Sequence, residues 1–289
     1  MQVQVEKFLD HLSRRGLSPH TLKAYRSDLG QFASLQGVVD VRNAHASAIR
    51  AFLAQAMARG VSRRSLARKL SALKAFFKYL VACGELGSNP AETLRTPRFG
   101  RNLPAFLDLT RAKEMVEAPR GANCALSARD AALLELLYSS GMRVSELTGI
   151  DAGDIDGNAG MLRVCGKGSK ERLVPVGSYA AAALGEYLRV RRACPGEMGL
   201  FVNRFGTRLS GRSIQRLVEK YAVRIGLGGK VSPHTLRHTF ATHMLDNGCD
   251  LRVLQEMLGH SSLATTQIYT HVTTRRMQEV YRKTHPRAR

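Results

Sequence analysis

Apolar positions in the first ninety residues recur at helical spacing. Leu66, Leu70, Leu73, Phe77 and Leu80 form one stripe, the clearest in the chain. Phe8, Leu9 and Leu12 make a shorter stripe closed by Arg14-Arg15-Gly16. Ser18-Pro19 opens a second helix, because proline suits a first helical position, and Leu22, Tyr25, Leu29 and Phe32 lie on its inner face. A further helix is predicted near Ala46 to Ala58. Residues 1–90 therefore read as an all-helical domain. Residues 91–106 read as a linker with no apolar period, rich in proline and arginine.

From residue 107 to 289 the pattern is mixed. Arg129 to Ser140 contains Ala-Ala-Leu-Leu-Glu-Leu-Leu-Tyr, a buried helix that Gly141 stops. Met161–Cys165 and Arg172–Val176 read as two strands of a hairpin, joined by Gly166-Lys167-Gly168-Ser169-Lys170-Glu171. Helices follow at 178–192 and at 210–225, the latter carrying Arg212 and Arg216. Ser232-Pro233 starts another, on which His234 and Arg237 share a face. Leu251, Leu254 and Leu258 mark a helix that Gly259 ends, so His260 falls just past it, and Ser261 or Ser262 can cap a next short helix that carries Tyr269 about two turns on. The last helix runs from 272 to 285. The fold class is mainly α with a small β-sheet, in two domains: N-terminal helical, then C-terminal mixed α/β.

Charge changes the picture. Lys and Arg number 44 against 23 Asp and Glu, a net charge of +21. Residues 1–95 alone hold 15 basic and 6 acidic residues. Both domains thus match one polyanion, nucleic acid. Arg63, Arg64, Arg68, Lys74 and Lys78 lie off the apolar stripe of their helix. No membrane partner is indicated, since no apolar run spans a bilayer and no signal peptide or lipidation motif is present. Cys83, Cys124, Cys165, Cys194 and Cys249 form no Cys-x-x-Cys pair, which fits a reducing cytoplasm and no zinc cluster.

The candidate chemistry gathers late in the chain. Tyrosine is a nucleophile once deprotonated, arginine captures phosphate bidentately, and histidine moves protons near neutral pH. Together they suggest phosphoryl transfer to a tyrosine. Arg143 stands at a helix junction, where it can face an anion or pair with Glu146. His234 and His238, four apart, also match metal spacing, but no nearby Glu or Cys completes a zinc set. Gly166-Lys167-Gly168-Ser169 lacks P-loop spacing and leads into a strand, so ATP is not indicated.

An ordered set then emerges: Arg143 in Gly-Met-Arg-Val-Ser-Glu-Leu, Lys167 in Gly-Lys-Gly-Ser-Lys-Glu-Arg, His234-Thr-Leu-Arg237, Leu-Gly-His260, and Tyr269 in Thr-Thr-Gln-Ile-Tyr-Thr-His. The set resembles that of the tyrosine recombinases (the phage integrase family), and within them the Xer group, XerC/XerD-like. Leu17-Ser-Pro-His-Thr-Leu-Lys-Ala-Tyr-Arg-Ser-Asp-Leu and the ending His285-Pro-Arg-Ala are Xer-like as well. Met142 departs from the pattern, where leucine is usual.

The resemblance implies an N-terminal core-binding domain, a C-terminal catalytic domain and a 3′-phosphotyrosyl intermediate formed by Tyr269. Arg143 and Arg237 would hold the non-bridging oxygens, Lys167 would protonate the 5′-oxygen, His234 would assist Tyr269, and His260 would bond the phosphate. Neither metal, cofactor nor ATP is needed. The implied partners are a double-stranded DNA recombination site, a second Xer-type recombinase in a tetramer (or a homotetramer), and a division-linked DNA translocase, in resolving chromosome dimers. The alternatives are a phage or mobile-element integrase of the same chemistry, or a DNA-binding protein with idle catalytic residues. Met277, Val280 and Tyr281 form a narrow stripe, and the resemblance implies that this C-terminal interaction tail is passed to a neighbouring protomer.

Overall fold

The structure, a computed structural model, describes residues 1–36, 40–96, 106–121, 124–156, 160–166, 171–228, 231–259 and 271–288. It divides into two compact units, Met1–Asn102 and Leu103–Arg289.

In the first unit four helices, α1 (Gln2–Arg14), α2 (Pro19–Gln36), α3 (Ala46–Ala58) and α4 (Arg63–Ala82), surround an aromatic core. Phe8 meets Phe76 edge-on with ring centroids 5.5 Å apart, and Phe32 meets Phe52 in the same way at 5.4 Å. Ser62 caps α4 by accepting from the Ser65 amide. The stripe on α4 faces this core, and Arg63, Arg64, Arg68 and Lys78 are exposed. Lys69 is the exception among the basic residues of α4. Its ammonium is buried and donates to Asp28 at 2.9 Å and to Gln31 at 2.8 Å, so the otherwise costly buried Asp28 carboxylate is paired.

The packed unit also extends into the expected linker. Ala91 and Leu94 are buried in the helical core, because Asn89 folds the chain back by bonding the Lys74 carbonyl and the Ala91 amide. Two isolated apolar residues at a turn carry no period, so the sequence pattern did not mark them.

In the second unit, α6 (Ala125–Ser140) is buried along nearly its whole length, enclosed by α5 (Leu109–Glu117), α8 (Ser178–Val190) and α10 (Pro233–Asp246). Next to α7 (Val144–Gly149) lies an antiparallel sheet in the order β1 (Ile155–Asp156), β2 (Met161–Cys165), β3 (Glu171–Pro175), with Val164 opposite Arg172. The expected hairpin is present, with a short third strand on its edge. α9 (Gly211–Arg224) exposes Arg212 and Arg216. α11 (Leu251–Leu258) and α12 (His271–Thr284) pack on α10. Among the described residues no helix is long and apolar enough to cross a membrane.

In this single chain the tail lies against its own unit. Met277 and Tyr281 are buried against Phe240, Met244, Leu254 and Met257 of their own unit. Beyond α12, Arg287 reaches α6 and α5, donating to Glu135 at 2.7 Å and to Glu117 at 2.9 Å, with its guanidinium over the Tyr179 ring. The Asn247 amide group holds the Thr284 carbonyl at 2.7 Å. The physical reason is the pairing of Glu135 and Arg287. Glu135 is buried on α6 and needs a cation, and Arg287 supplies it from the last residues of the chain.

His285 is the titrating element of this tail. It stacks on Tyr281 at 4.9 Å, lies close to Tyr138 and Phe240, and accepts the Arg287 amide on Nδ1. Burial, reinforced by His243 and the Arg287 charge, pushes its pKa from 6.5 down to about 3. The unfolded chain therefore binds a proton that the folded chain refuses. Stability from neutral His285 is complete above its unfolded pKa and falls as pH drops from 6.5 toward 3, by up to about 1.4 kcal/mol per pH unit. Urea denaturation of wild type and His285→Phe across this range should show a steeper acid loss in wild type. Equal slopes would contradict the assignment.

Candidate active site

The site is built where four elements end together. α6 terminates at Gly141, whose φ of +58° is left-handed. A Cβ at this position would lie 2.3 Å from the Phe240 ring, so glycine alone lets α6 turn against α10. The turn delivers Arg143 as the N-cap of α7, one turn before Glu146. On α10, Ser232 caps by accepting from the Thr235 amide, and Arg237 follows one turn later. α11 ends at Leu258 with Gly259 left-handed at φ +65°.

The last carbonyls of a helix have no partner within it and carry its negative dipole end. On α11 they are taken by arginines. Arg237 donates to the Leu258 carbonyl at 2.7 Å and to the Gly141 carbonyl at 2.6 Å. Arg143 reaches Leu258 at 3.4 Å, and Arg172 Nε reaches Met257 at 3.0 Å. Glu146 sits among them. It accepts both Nη groups of Arg172 at 2.9 and 2.8 Å, Arg143 Nη1 at 3.0 Å and the Arg143 amide at 2.7 Å.

Electrostatics follow from this packing. Burial alone would raise the Glu146 carboxyl pKa, but the Arg172 and Arg143 hydrogen bonds outweigh it and hold the group below its usual value. Arg237 is pushed down to about 10 by burial and by the like charge of Arg143, with Glu146 opposing and Arg172 adding. It remains a cation at neutral pH. Three guanidiniums against one carboxylate leave an excess of positive charge, a cradle suited to a phosphate.

Of the sequence-predicted residues, the structure brings Arg143 and Arg237 to one point, the Leu258 carbonyl. His234 is exposed in the first turn of α10, one turn before Arg237, and takes no part in the described cradle bonds. Lys167, His260 and Tyr269 lie outside the described residues. Of the two sequence readings of Arg143, the pairing with Glu146 is present. The sequence reading missed Arg172 and gave Glu146 no role beyond a pairing. A signal was present: strand alternation puts Arg172 on the face of Val174, which points into the core. His238 is half-buried with its ring edge-on to Phe106.

Comparison with known proteins adds an independent line. Residues 105–276 match the model of the phage integrase family, and residues 5–84 match that of the phage integrase N-terminal SAM-like domain. The tyrosine recombinase XerC of Thermodesulfovibrio yellowstonii is 46% identical over 99% of this chain and 97% of its own length. That of Haemophilus influenzae is 42% identical over 100% and 99%. Among solved structures, the XerA recombinase is 32% identical with a TM-score of 0.52 over 98% of each chain. XerH bound to a palindromic difH substrate, in a post-cleavage complex, is 24% identical with a TM-score of 0.72 over 98% of this chain and 84% of that one, a likeness of fold.

Gly141 provides the local test. Gly141→Ala combines a left-handed φ with a Cβ that clashes with the edge of the Phe240 ring, and should destabilise the chain by about 2 kcal/mol or more. Thermal denaturation reads this. A variant as stable as wild type would mean that the α6–α7 turn is not fixed by Phe240.

Proposed function

The chain belongs to the phage integrase family of tyrosine recombinases, and on that premise we propose that it cuts a duplex recombination site through Tyr269 and reseals each strand to a new partner. The observation that carries this reading is the cradle. Arg143, with 38% of its side chain exposed, can reach a ligand, while its backing carboxylate Glu146 is 4% exposed. A phosphodiester entering there finds fixed positive charge that a phosphorane, gaining charge in the transition state, uses more fully than the ground state does.

The roles follow. Tyr269 attacks the scissile phosphorus. The P–O bond to the 5′-oxygen breaks, leaving a 3′-phosphotyrosyl link and a free 5′-hydroxyl. Arg143 and Arg237 bind the non-bridging oxygens. Lys167, between β2 and β3 in the sequence, gives its proton to the departing 5′-oxygen. His234 assists removal of the Tyr269 proton, and His260 bonds the phosphate. The phosphotyrosine keeps the bond energy, so resealing by a new 5′-hydroxyl needs no ATP. The arginines supply the positive charge that a metal ion supplies in other phosphoryl transfers, so cleavage proceeds in chelator.

Residues 1–90 serve as the core-binding domain, with the exposed cations of α4 meeting DNA phosphates. The whole-length likeness to XerC proteins supports chromosome-dimer resolution in the cytoplasm by a tetramer. Its second member is another Xer-type recombinase or a copy of this chain. A division-linked DNA translocase is the proposed activator.

The test is Tyr269→Phe, which keeps the ring and removes the attacking oxygen. On a nicked DNA carrying the host's resolution site, in EDTA, wild type should form an SDS-resistant adduct. The variant should bind equally well and form none. An adduct from the variant would remove Tyr269 as the nucleophile.

A further inference from the structure

The role of Arg172 is not that of a phosphate ligand. Its side chain is 6% exposed. Nε is committed to the Met257 carbonyl and both Nη groups to Glu146. Arg143 bonds through Nη1 alone, and its Nε and Nη2 have no partner among the described residues. The two arginines therefore divide the work. One saturates the carboxylate, and the other keeps donors for a ligand.

Resting on the recombinase reading above, we infer that Arg172 is a positioning residue for strand cleavage: by occupying both Glu146 oxygens and the end of α11, it keeps the Arg143 guanidinium from being engaged wholly by Glu146 and leaves it directed toward the scissile phosphate. Remove it, and Glu146 remains as a buried carboxylate whose nearest cation is Arg143. The pair then closes on itself, and the charge meant for the phosphate is cancelled.

Arg172 also joins three segments. It lies on β3, five positions after Lys167 in the sequence. It holds α7 through Glu146 and α11 through Met257. Its guanidinium packs against Gly259, where an added Cβ would come within 3.2 Å of the guanidinium carbon. Gly259 directly precedes His260. Loss of Arg172 thus also frees the end of α11, from which the chain continues to His260 and Tyr269.

The test uses the full chain and single-turnover adduct formation on nicked site DNA. Arg172→Met keeps the apolar stem and removes the charge. Half-site affinity should stay within about threefold of wild type, while adduct formation falls about 100-fold, the scale of a misplaced catalytic group. Three further readings separate this role from a general structural one. A 5′-bridging sulfur, which needs little protonation on leaving, should rescue Lys167→Ala and not Arg172→Met. Adding Glu146→Gln to Arg172→Met should recover about tenfold of the lost rate, because the unpaired carboxylate carries the harm. If Arg172→Met does not fold, Arg172→Lys reads the same role: it keeps a charge but cannot span both oxygens, and should cleave about tenfold more slowly at unchanged affinity.

A wild-type rate in the folded Arg172→Met, or in Arg172→Lys where that variant must serve, overturns the inference. So does sulfur rescue equal to that of Lys167→Ala, or no gain from Glu146→Gln. Absence of an adduct from wild type itself would fail the recombinase reading rather than the role of Arg172.

Discussion

The buried carboxylate of Glu146 is the constraint on which the catalytic unit turns. An isolated carboxylate in such a place would protonate rather than stay charged. Here it is held ionised by Arg172 and by both the amide and the guanidinium of Arg143. Those bonds fix α7 against β3. The same guanidiniums, joined by Arg237, cover the carbonyl end of α11. One anion thus sets the relative position of an arginine junction, a strand and two helix ends. Like-charged groups at this density would repel one another without it. That repulsion is visible in the lowered proton affinity of Arg237, which burial and Arg143 together bring to about 10.

The same physics recurs away from the site. Asp28 is buried on α2 and paired with Lys69, with Arg68 also bonded to it from the surface side. Glu135 is buried on α6 and paired with Arg287. In each case a core carboxylate ties together distant parts of one unit, and removing one partner alone is far more costly than the pair is stabilising. The chain carries a large excess of basic residues. A few are used internally in this way, and the exposed remainder on α4 and α9 gives each unit a cationic surface.

Much of this was legible in the sequence because it is local. The stripe Leu66 to Leu80, the stops at Gly141 and Gly259, the cap at Ser232 and the strand alternation all depend on neighbours within a few positions. Arg143 and Arg237 stood out together from their place in an ordered set, and both reach the Leu258 carbonyl. What escaped was non-local. Arg172 shares a strand face with Val174, but its partner Glu146 lies 26 positions away and could not be read from its neighbours. Arg287 lies 152 positions from Glu135, so nothing near it showed that the tail would fold back on its own unit. Ala91 and Leu94 had too few apolar neighbours to declare a packed turn.

In the proposed mechanism Arg143 and Arg237 work by neutralising charge on the scissile phosphate. A site carrying a methylphosphonate at the scissile position has lost that charge and can test the claim alone. Arg237→Ala should fail to form the Tyr269 adduct on the ordinary phosphodiester and regain it on the methylphosphonate. If wild type cleaves the ordinary site while Arg237→Ala is equally inactive on both, the arginine is not there for charge, and the account of the cradle is wrong.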